Sequence, residues 1–334
     1  MTRKSKSFTF IDLFAGCGGL SLGLMQSGWQ GKFAIEKNSD AFKTLKHNLV
    51  DENAWSPSHF DWPNWLEIKE MSTGSFIRKH EKQVKKLAGQ VPLLVGGPPC
   101  QGFSLTGKRR HGDSRNKLYL EYLKILNLVQ PSLVLVENVP GFSSSHNEKL
   151  TKKRNIKRAS FASLLKKKLE GNGYSVQQGL VDASQFGVPQ IRVRHITFAV
   201  KLKCLKSDVT PNFFEILESE RSNFLHSLGL SLKKVTASQA ISDLVKDGHN
   251  LIECSDPYLR KGFQEIEYKG PRTKYQKLMH QNMNNSDPPN SMRLANHYKE
   301  TKTKFKKILK CKKGVSLSDA DRQRLGIRKY RITP

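Results

Sequence analysis

The chain has 334 residues, enough for a sizeable core and for two structural units, because single cores seldom grow past about 250 to 300 residues. Its 57 Lys and Arg against 29 Asp and Glu leave a formal net charge of +28, which points to a polyanionic partner, nucleic acid before a membrane surface. Five widely spaced cysteines without a C-x-x-C pair argue against a disulfide framework or a zinc site, and the lack of a long apolar run or a leader-like amino terminus predicts a cytoplasmic protein.

Residues 8–14 (FTFIDLF) are apolar and β-prone, residues 15–19 (AGCGG) turn sharply, and residues 20–25 have the apolar spacing of a helix. Residues 31–36 (GKFAIE) predict a second strand ending on an acid, and residues 39–48 the next helix. A later strand is predicted at 91–95, an amphipathic helix at 118–129, and a fully buried strand at 132–136 that ends on Glu137-Asn138-Val139-Pro140. Alternation of this kind predicts an α/β fold, a doubly wound and mostly parallel sheet flanked by helices. From about residue 201 apolar β-runs thin out and lysines accumulate. A catalytic domain of residues 1–200 and a smaller second domain of 201–334 are therefore expected.

The glycine turn lets the backbone approach a cofactor closely, and Glu36, twenty residues beyond Gly16, stands where it can accept hydrogen bonds from ribose hydroxyls. NAD-binding and S-adenosylmethionine-binding sheets both use such a turn. The G-x-G-G spacing and the lack of a second nucleotide-binding half lead away from NAD. In residues 96–104 (GGPPCQGFS) two prolines mount Cys100 at the carboxyl edge of a strand, where a thiol can serve as a nucleophile; an ordinary buried cysteine is the plainer alternative. Glu137 leaves the same edge, in a setting expected to be desolvated by Phe142 and the prolines, which would suit it to hold a proton. Alone, it could equally cap a loop. Arg192 and Arg194 share one face of a short strand by period 2, facing either solvent or an anion or carbonyl-rich ligand. Two basic runs stand apart: residues 152–168 carry eight Lys and Arg and no acid, and residues 299–313 carry eight lysines against Glu300.

These residues resemble the DNA (cytosine-5)-methyltransferase family. The segments FIDLFAGCGGLSLGL (10–24), GGPPCQGFS (96–104), GDSRNKL (112–118), ENV (137–139) and FGVPQIRVR (186–194) occur in the family's order and cover most of residues 8–200. The resemblance implies the S-adenosylmethionine-dependent methyltransferase fold. Phe14, Gly16, Gly18, Glu36, Asp61, Trp62 and Leu118 would contact the cofactor, with Asp61 near the adenine amino group. It implies that Cys100 adds as a thiolate to C6 of a flipped-out cytosine, with Glu137 at N3, Arg194 at O2 and Arg192 supporting the same pocket or a phosphate. Residues 101–115 would close over the base, and the region from 201 onward would read the sequence of duplex DNA. Two segments expected of the family, one like R-x-L-T-x-R-E and one like G-N-S/A-V, are not found in residues 1–334. The expectation is a split enzyme whose second polypeptide supplies them, or else a truncated product. The function so implied is cytosine C5 methylation of DNA in a restriction-modification system; methylation of RNA and a non-catalytic DNA-binding subunit are the alternatives.

Overall fold

The computed structural model describes residues 8–51, 59–99, 116–143, 146–151, 154–158, 160–205, 211–255, 262–281, 292–311 and 317–326. Along the chain, β1 (Thr9–Leu13), α1 (Gly19–Gln26), β2 (Gln30–Ile35), α2 (Ser39–Leu49), α3 (Thr73–Lys86), β3 (Leu93–Gly96), α4 (Asn116–Val129) and β4 (Leu133–Asn138) follow the alternation of the apolar runs. A hairpin of β5 (His146–Thr151) and β6 (Arg154–Arg158) comes next, then α5 (Phe161–Glu170), β7 (Tyr174–Asp182), β8 (Val193–Lys201) and α6 (Phe213–Ser227). Side-chain caps mark the helix starts: the Asn38 side chain accepts from the Ala41 N–H at 2.9 Å and Ser72 from Ser75 N–H at 3.2 Å, each worth about 1 kcal/mol.

Six strands form one sheet in the order β2-β1-β3-β4-β8-β7. Strands β1 to β4 are parallel, and β8 runs antiparallel to both β4 and β7. Because side chains alternate across a strand, Phe10 packs with Met25, Phe42 and Leu45 on the face of α1 and α2, while Ile11 and Leu13 join Phe76, Tyr122 and Ile125 on the face of α3 and α4. Each large side chain buried in this way stabilises the fold by about 1.5 to 3 kcal/mol. Two apolar faces on one mostly parallel sheet make the doubly wound α/β architecture that the sequence predicts. The strand order reverses between β1 and β3, which opens a crevice at their carboxyl ends.

Packing divides the chain into one unit of Met1–Ala240 with Lys277–Met283 and another of Ile241–Gln276 with Asn284–Pro334. The first unit runs past the boundary near residue 200 expected from composition, because α6 belongs to the sheet: Phe213 stacks on Phe198 with ring centroids 4.3 Å apart, and its N–H donates to the Gln177 side chain at 2.6 Å. Four short helices, α7 (Ala237–Ile241), α8 (Lys274–Met279), α9 (Lys299–Ile308) and α10 (Asp319–Arg324), complete the described chain with an antiparallel pair, β9 (Leu251–Glu253) and β10 (Gln264–Ile266). In the second unit Ile308, Leu317 and Leu325 form a small apolar cluster, and the Tyr268 hydroxyl donates to buried Asp243 at 2.7 Å. Among the described residues no helix is long and apolar enough to cross a membrane.

Candidate active site

The turn after β1 is built on positive φ angles. Gly16 has φ +57° and Gly18 has φ +86°, and a Cβ on Gly18 would lie 2.8 Å from Leu49, so only glycine lets this loop fold over the sheet edge. Phe14 also adopts φ +60°, a conformation that costs a non-glycine residue of order 1 kcal/mol and that clusters at functional sites. Glu36 closes the turn from the end of β2. One carboxylate oxygen accepts from Gly16 N–H at 2.9 Å and the other from Lys37 N–H at 2.8 Å and Asn38 N–H at 2.7 Å. A carboxylate has about four acceptor sites, which leaves capacity for a ligand hydroxyl.

Beside this turn is a small open cleft lined by Phe14, Ile35, Lys37, Met71, Ser72, Thr73 and Leu118. Its walls are mostly apolar, which suits a planar heteroaromatic ring. Its far side is the start of α3, tied down at two points: Met71 N–H donates to the Glu36 carbonyl at 2.7 Å, and the Thr73 hydroxyl bonds to Glu121 of α4. Beneath the turn, Asp12 is 1% exposed and accepts from the Ser21 hydroxyl at 2.6 Å. Burial pushes its carboxyl up to about 7; the Ser21 bond opposes the rise and the charge of Glu36 adds to it.

A second group of residues meets where β3 and β4 end and β8 begins. Gly97 follows β3, and its backbone lies against Glu137, which follows Val136 on β4; a Cβ at Gly97 would stand 3.3 Å from the Glu137 carboxylate. Glu137 accepts from Arg194 Nε at 2.8 Å, while Arg194 also donates to the Val193 carbonyl at 2.8 Å. The pairing exists because β8 lies antiparallel beside β4, with Glu137 opposite Ile196, two residues from Arg194 and on the same face. Next to it, the buried Asn138 amide donates to the Pro98 carbonyl at 2.9 Å and accepts from Val139 N–H at 2.9 Å. Asn138 thus holds the first proline of the step that leads to Cys100. Cys100 and the loop 101–115 lie outside the described residues.

The structure brings Phe14, Gly16, Gly18, Glu36 and Leu118 to one crevice and joins Glu137 to Arg194. It does not bring Asp61 and Trp62 there. Asp61 N–H donates to the Gly31 carbonyl, its carboxylate is 63% exposed and pairs with Lys32, and Trp62 packs between Phe42 and Phe60 with its indole N–H on the Leu66 carbonyl. Gly31 stands four residues before Ile35 on β2, so Asp61 is about 13 Å along the strand from the cleft. Met71, Ser72 and Thr73 occupy the expected position instead. Arg192 precedes β8 rather than sharing its face; its N–H donates to Asp182 at 3.1 Å and its side chain is exposed. Asp182 is held well below the usual carboxylate range by the Ser184 hydroxyl first, then by backbone N–H groups and Lys234. Nor is Glu137 desolvated by Phe142. Its side chain keeps 36% exposure, and Phe142 turns inward to pack on His195 at 5.4 Å. Sequence reading missed Asp12, Asn138 and the 71–73 segment; only the Ser72-x-x-Ser75 capping pattern before α3 signals the last of these.

Against known proteins, the family model for C-5 cytosine-specific DNA methylase matches residues 8–329. The type II methyltransferase M.BspRI of Lysinibacillus sphaericus is 30% identical over 73% of this chain and 54% of its own length, and M.HgiDI of Herpetosiphon aurantiacus is 35% identical over 57% and 50%. The chain therefore spans about half the length of these curated relatives. A crystal structure from E. coli described as a DNA modification methyltransferase encoded within a prophage aligns with TM-score 0.50 and 25% identity, covering 81% of this chain and 64% of that one.

Proposed function

We propose that this chain, which belongs to the C-5 cytosine-specific DNA methylase family, carries the cofactor crevice and the base pocket of an enzyme that methylates C5 of a flipped-out cytosine in duplex DNA with S-adenosylmethionine as donor. The cofactor fits the residues present. Phe14, Ile35, Met71 and Leu118 would flank the adenine, Glu36 would accept from the ribose hydroxyls, and the Gly16–Gly18 backbone would lie against the amino-acid end. When bound, the cofactor supplies an electrophilic methyl group on a sulfonium.

The chain supplies the rest of the chemistry. Cytosine C5 is a weak nucleophile, and addition of the Cys100 thiolate at C6 makes the ring an enamine that is nucleophilic at C5. Electron density moves at the same time towards N3. Glu137 in its protonated form hydrogen-bonds or protonates N3, and Arg194 donates to O2, so both groups act where charge develops. Once C5 carries the methyl group, loss of the C5 proton to a base expels the Cys100 thiolate from C6 and restores the ring and the free enzyme. The observation that carries this reading is the 2.8 Å Glu137–Arg194 pair against Gly97, immediately before Pro98-Pro99-Cys100. Lysines of α9 and the neighbouring run would meet DNA phosphates, and Arg192 would support the base pocket or a phosphate.

The test is methyl transfer from labelled S-adenosylmethionine to a cytosine-containing duplex, with a matched RNA as competitor. One arm uses the chain alone; the other adds a polypeptide carrying the two family segments not found in residues 1–334. A 5-fluorocytosine duplex should trap a covalent complex that is lost in Cys100→Ala. No transfer and no trapping in either arm would overturn the reading, and transfer only to RNA would replace its substrate.

A further inference from the structure

Strand β8 begins after the connection 183–192, which leaves β7 at Asp182 and returns beside it. Because side chains alternate along a strand, the register at which β8 starts decides what meets Glu137. In the observed register Glu137 stands opposite Ile196 and Asn138 opposite His195, so Arg194 shares the face of Glu137 while Val193 and His195 lie on the other. A slip of one residue would turn Arg194 away from Glu137 and bring Val193 or His195 into its place.

One carboxylate closes the connection at its base. Asp182 Oδ1 accepts from Ser184 N–H at 3.0 Å and from Arg192 N–H at 3.1 Å, and Oδ2 accepts from the Ser184 hydroxyl at 2.7 Å and from Lys234 Nζ at 3.2 Å. Ala183 N–H donates to the Arg192 carbonyl at 3.1 Å and completes the ring. These bonds hold the Asp182 carboxyl well below the usual range, so the group is ionised and acts only as an acceptor. A carboxylate has about four acceptor sites, and here each meets a donor of the chain itself, which leaves none for a ligand. The far side of the connection is gripped by α6: Arg221 Nε donates to the Gln185 carbonyl at 3.1 Å, and the Phe186 and Phe224 ring centroids lie 6.4 Å apart. Asp182 thus ties together the end of β7, the turn at Ser184, the residue before β8 and the segment that follows α6.

We propose that Asp182 is a positioning residue for methyl transfer, pinning the entry of β8 so that Arg194 meets Glu137 and can donate to the cytosine. The proposal rests on the reading of that pair as the base pocket. Asp182 touches no reacting atom; it acts through Arg192, whose backbone it holds, on the side chain two residues further along β8.

The experiment compares the full-length parent with Asp182→Ala, Asp182→Asn and Arg194→Ala in an arm of the assay above that transfers methyl. Three quantities are measured: the single-turnover rate, S-adenosylmethionine affinity, and amide hydrogen exchange over residues 183–194. Asp182→Ala deletes all four bonds and should slow methyl transfer at least about tenfold, since small misplacements of a reacting group are costly. Its cofactor affinity should stay within about twofold, and its exchange over 183–194 should quicken at least about tenfold as the connection opens locally. Asp182→Asn keeps an oxygen for the Ser184 and Arg192 N–H groups and should bring the rate back to within about threefold of the parent. Should Asp182→Ala not fold, Ser184→Ala removes the hydroxyl bond alone and should slow transfer about threefold with faster exchange. A rate in Asp182→Ala within about twofold of the parent, an Asp182→Asn protein as slow as Asp182→Ala, or unaltered exchange would overturn the proposal. Arg194→Ala at the parental rate, or a parent that transfers no methyl group in either arm, would sink the base-pocket reading instead, and the clamp would then stand or fall on the exchange alone.

Discussion

Replacing Asn138 with Ala removes the link between β4 and the diproline step without touching the cofactor crevice. At a site 5% exposed the substitution deletes a bond to the Pro98 carbonyl and one from Val139 N–H, both 2.9 Å long. Losing two such bonds, with the part-buried Val139 N–H and the Pro98 carbonyl left unpaired by this side chain, costs about 2 to 4 kcal/mol, a large part of the roughly 5 to 15 kcal/mol that holds a domain together. Since Cys100 is two residues beyond Pro98, the loss should also misplace the nucleophile. The expected result is a lower urea midpoint and a single-turnover methylation rate down at least about tenfold, because small misplacements of a reacting group are costly. Cofactor affinity should stay within about threefold, as Asn138 is not among the residues that line the cleft. Asn138→Asp separates the two bonds. Its carboxylate still accepts from Val139 but cannot donate to Pro98, whereas its protonated form can, so the stability deficit of this variant should shrink as pH falls. An Asn138→Ala protein with its midpoint unchanged within experimental error and its rate within about twofold of the parent would refute the positioning role.

Cys100→Ala should abolish methyl transfer while DNA affinity, measured by anisotropy, changes by less than about tenfold, since the covalent bond forms only along the reaction path; residual turnover above a few per cent would remove Cys100 as nucleophile. Asp61→Asn should leave S-adenosylmethionine affinity by calorimetry within about twofold, whereas Leu118→Ala should weaken it several-fold; the opposite ranking would return Asp61 to the cofactor site. For Asp12 the folded value of about 7 exceeds the ordinary aspartate value of 3.8, so its burial costs nothing below the unfolded value and progressively destabilises the fold as pH rises from about 4 to 7. Asp12→Asn should therefore gain melting temperature over the parent through that window, with a flat difference above it of up to about 4 kcal/mol; a pH-independent difference would show that the carboxyl stays ionised throughout.

Much of this protein is legible in one dimension because its signals are local. The apolar runs of β1, β3 and β4 span a few residues each, the glycine turn needs positive φ at Gly16 and Gly18, and the interval from Gly16 to Glu36 is one turn-helix-strand excursion. Such features depend on neighbours in the chain, so periodicity, turn chemistry and spacing carry them. The Glu137–Arg194 pair needed β8 to insert antiparallel between β4 and β7, and no pattern within residues 186–201 states which strand they will adjoin. The same holds for Asp61, whose short segment crosses β2 at Gly31 while Met71 to Thr73 reach the crevice, and for Asp12, an acid inside an apolar run whose burial depends on α1 folding back to supply Ser21. Local sequence chose the groups able to do the chemistry; their distances, exposure and protonation follow from which elements pack together, because desolvation and charge pairing arise between residues far apart in the chain.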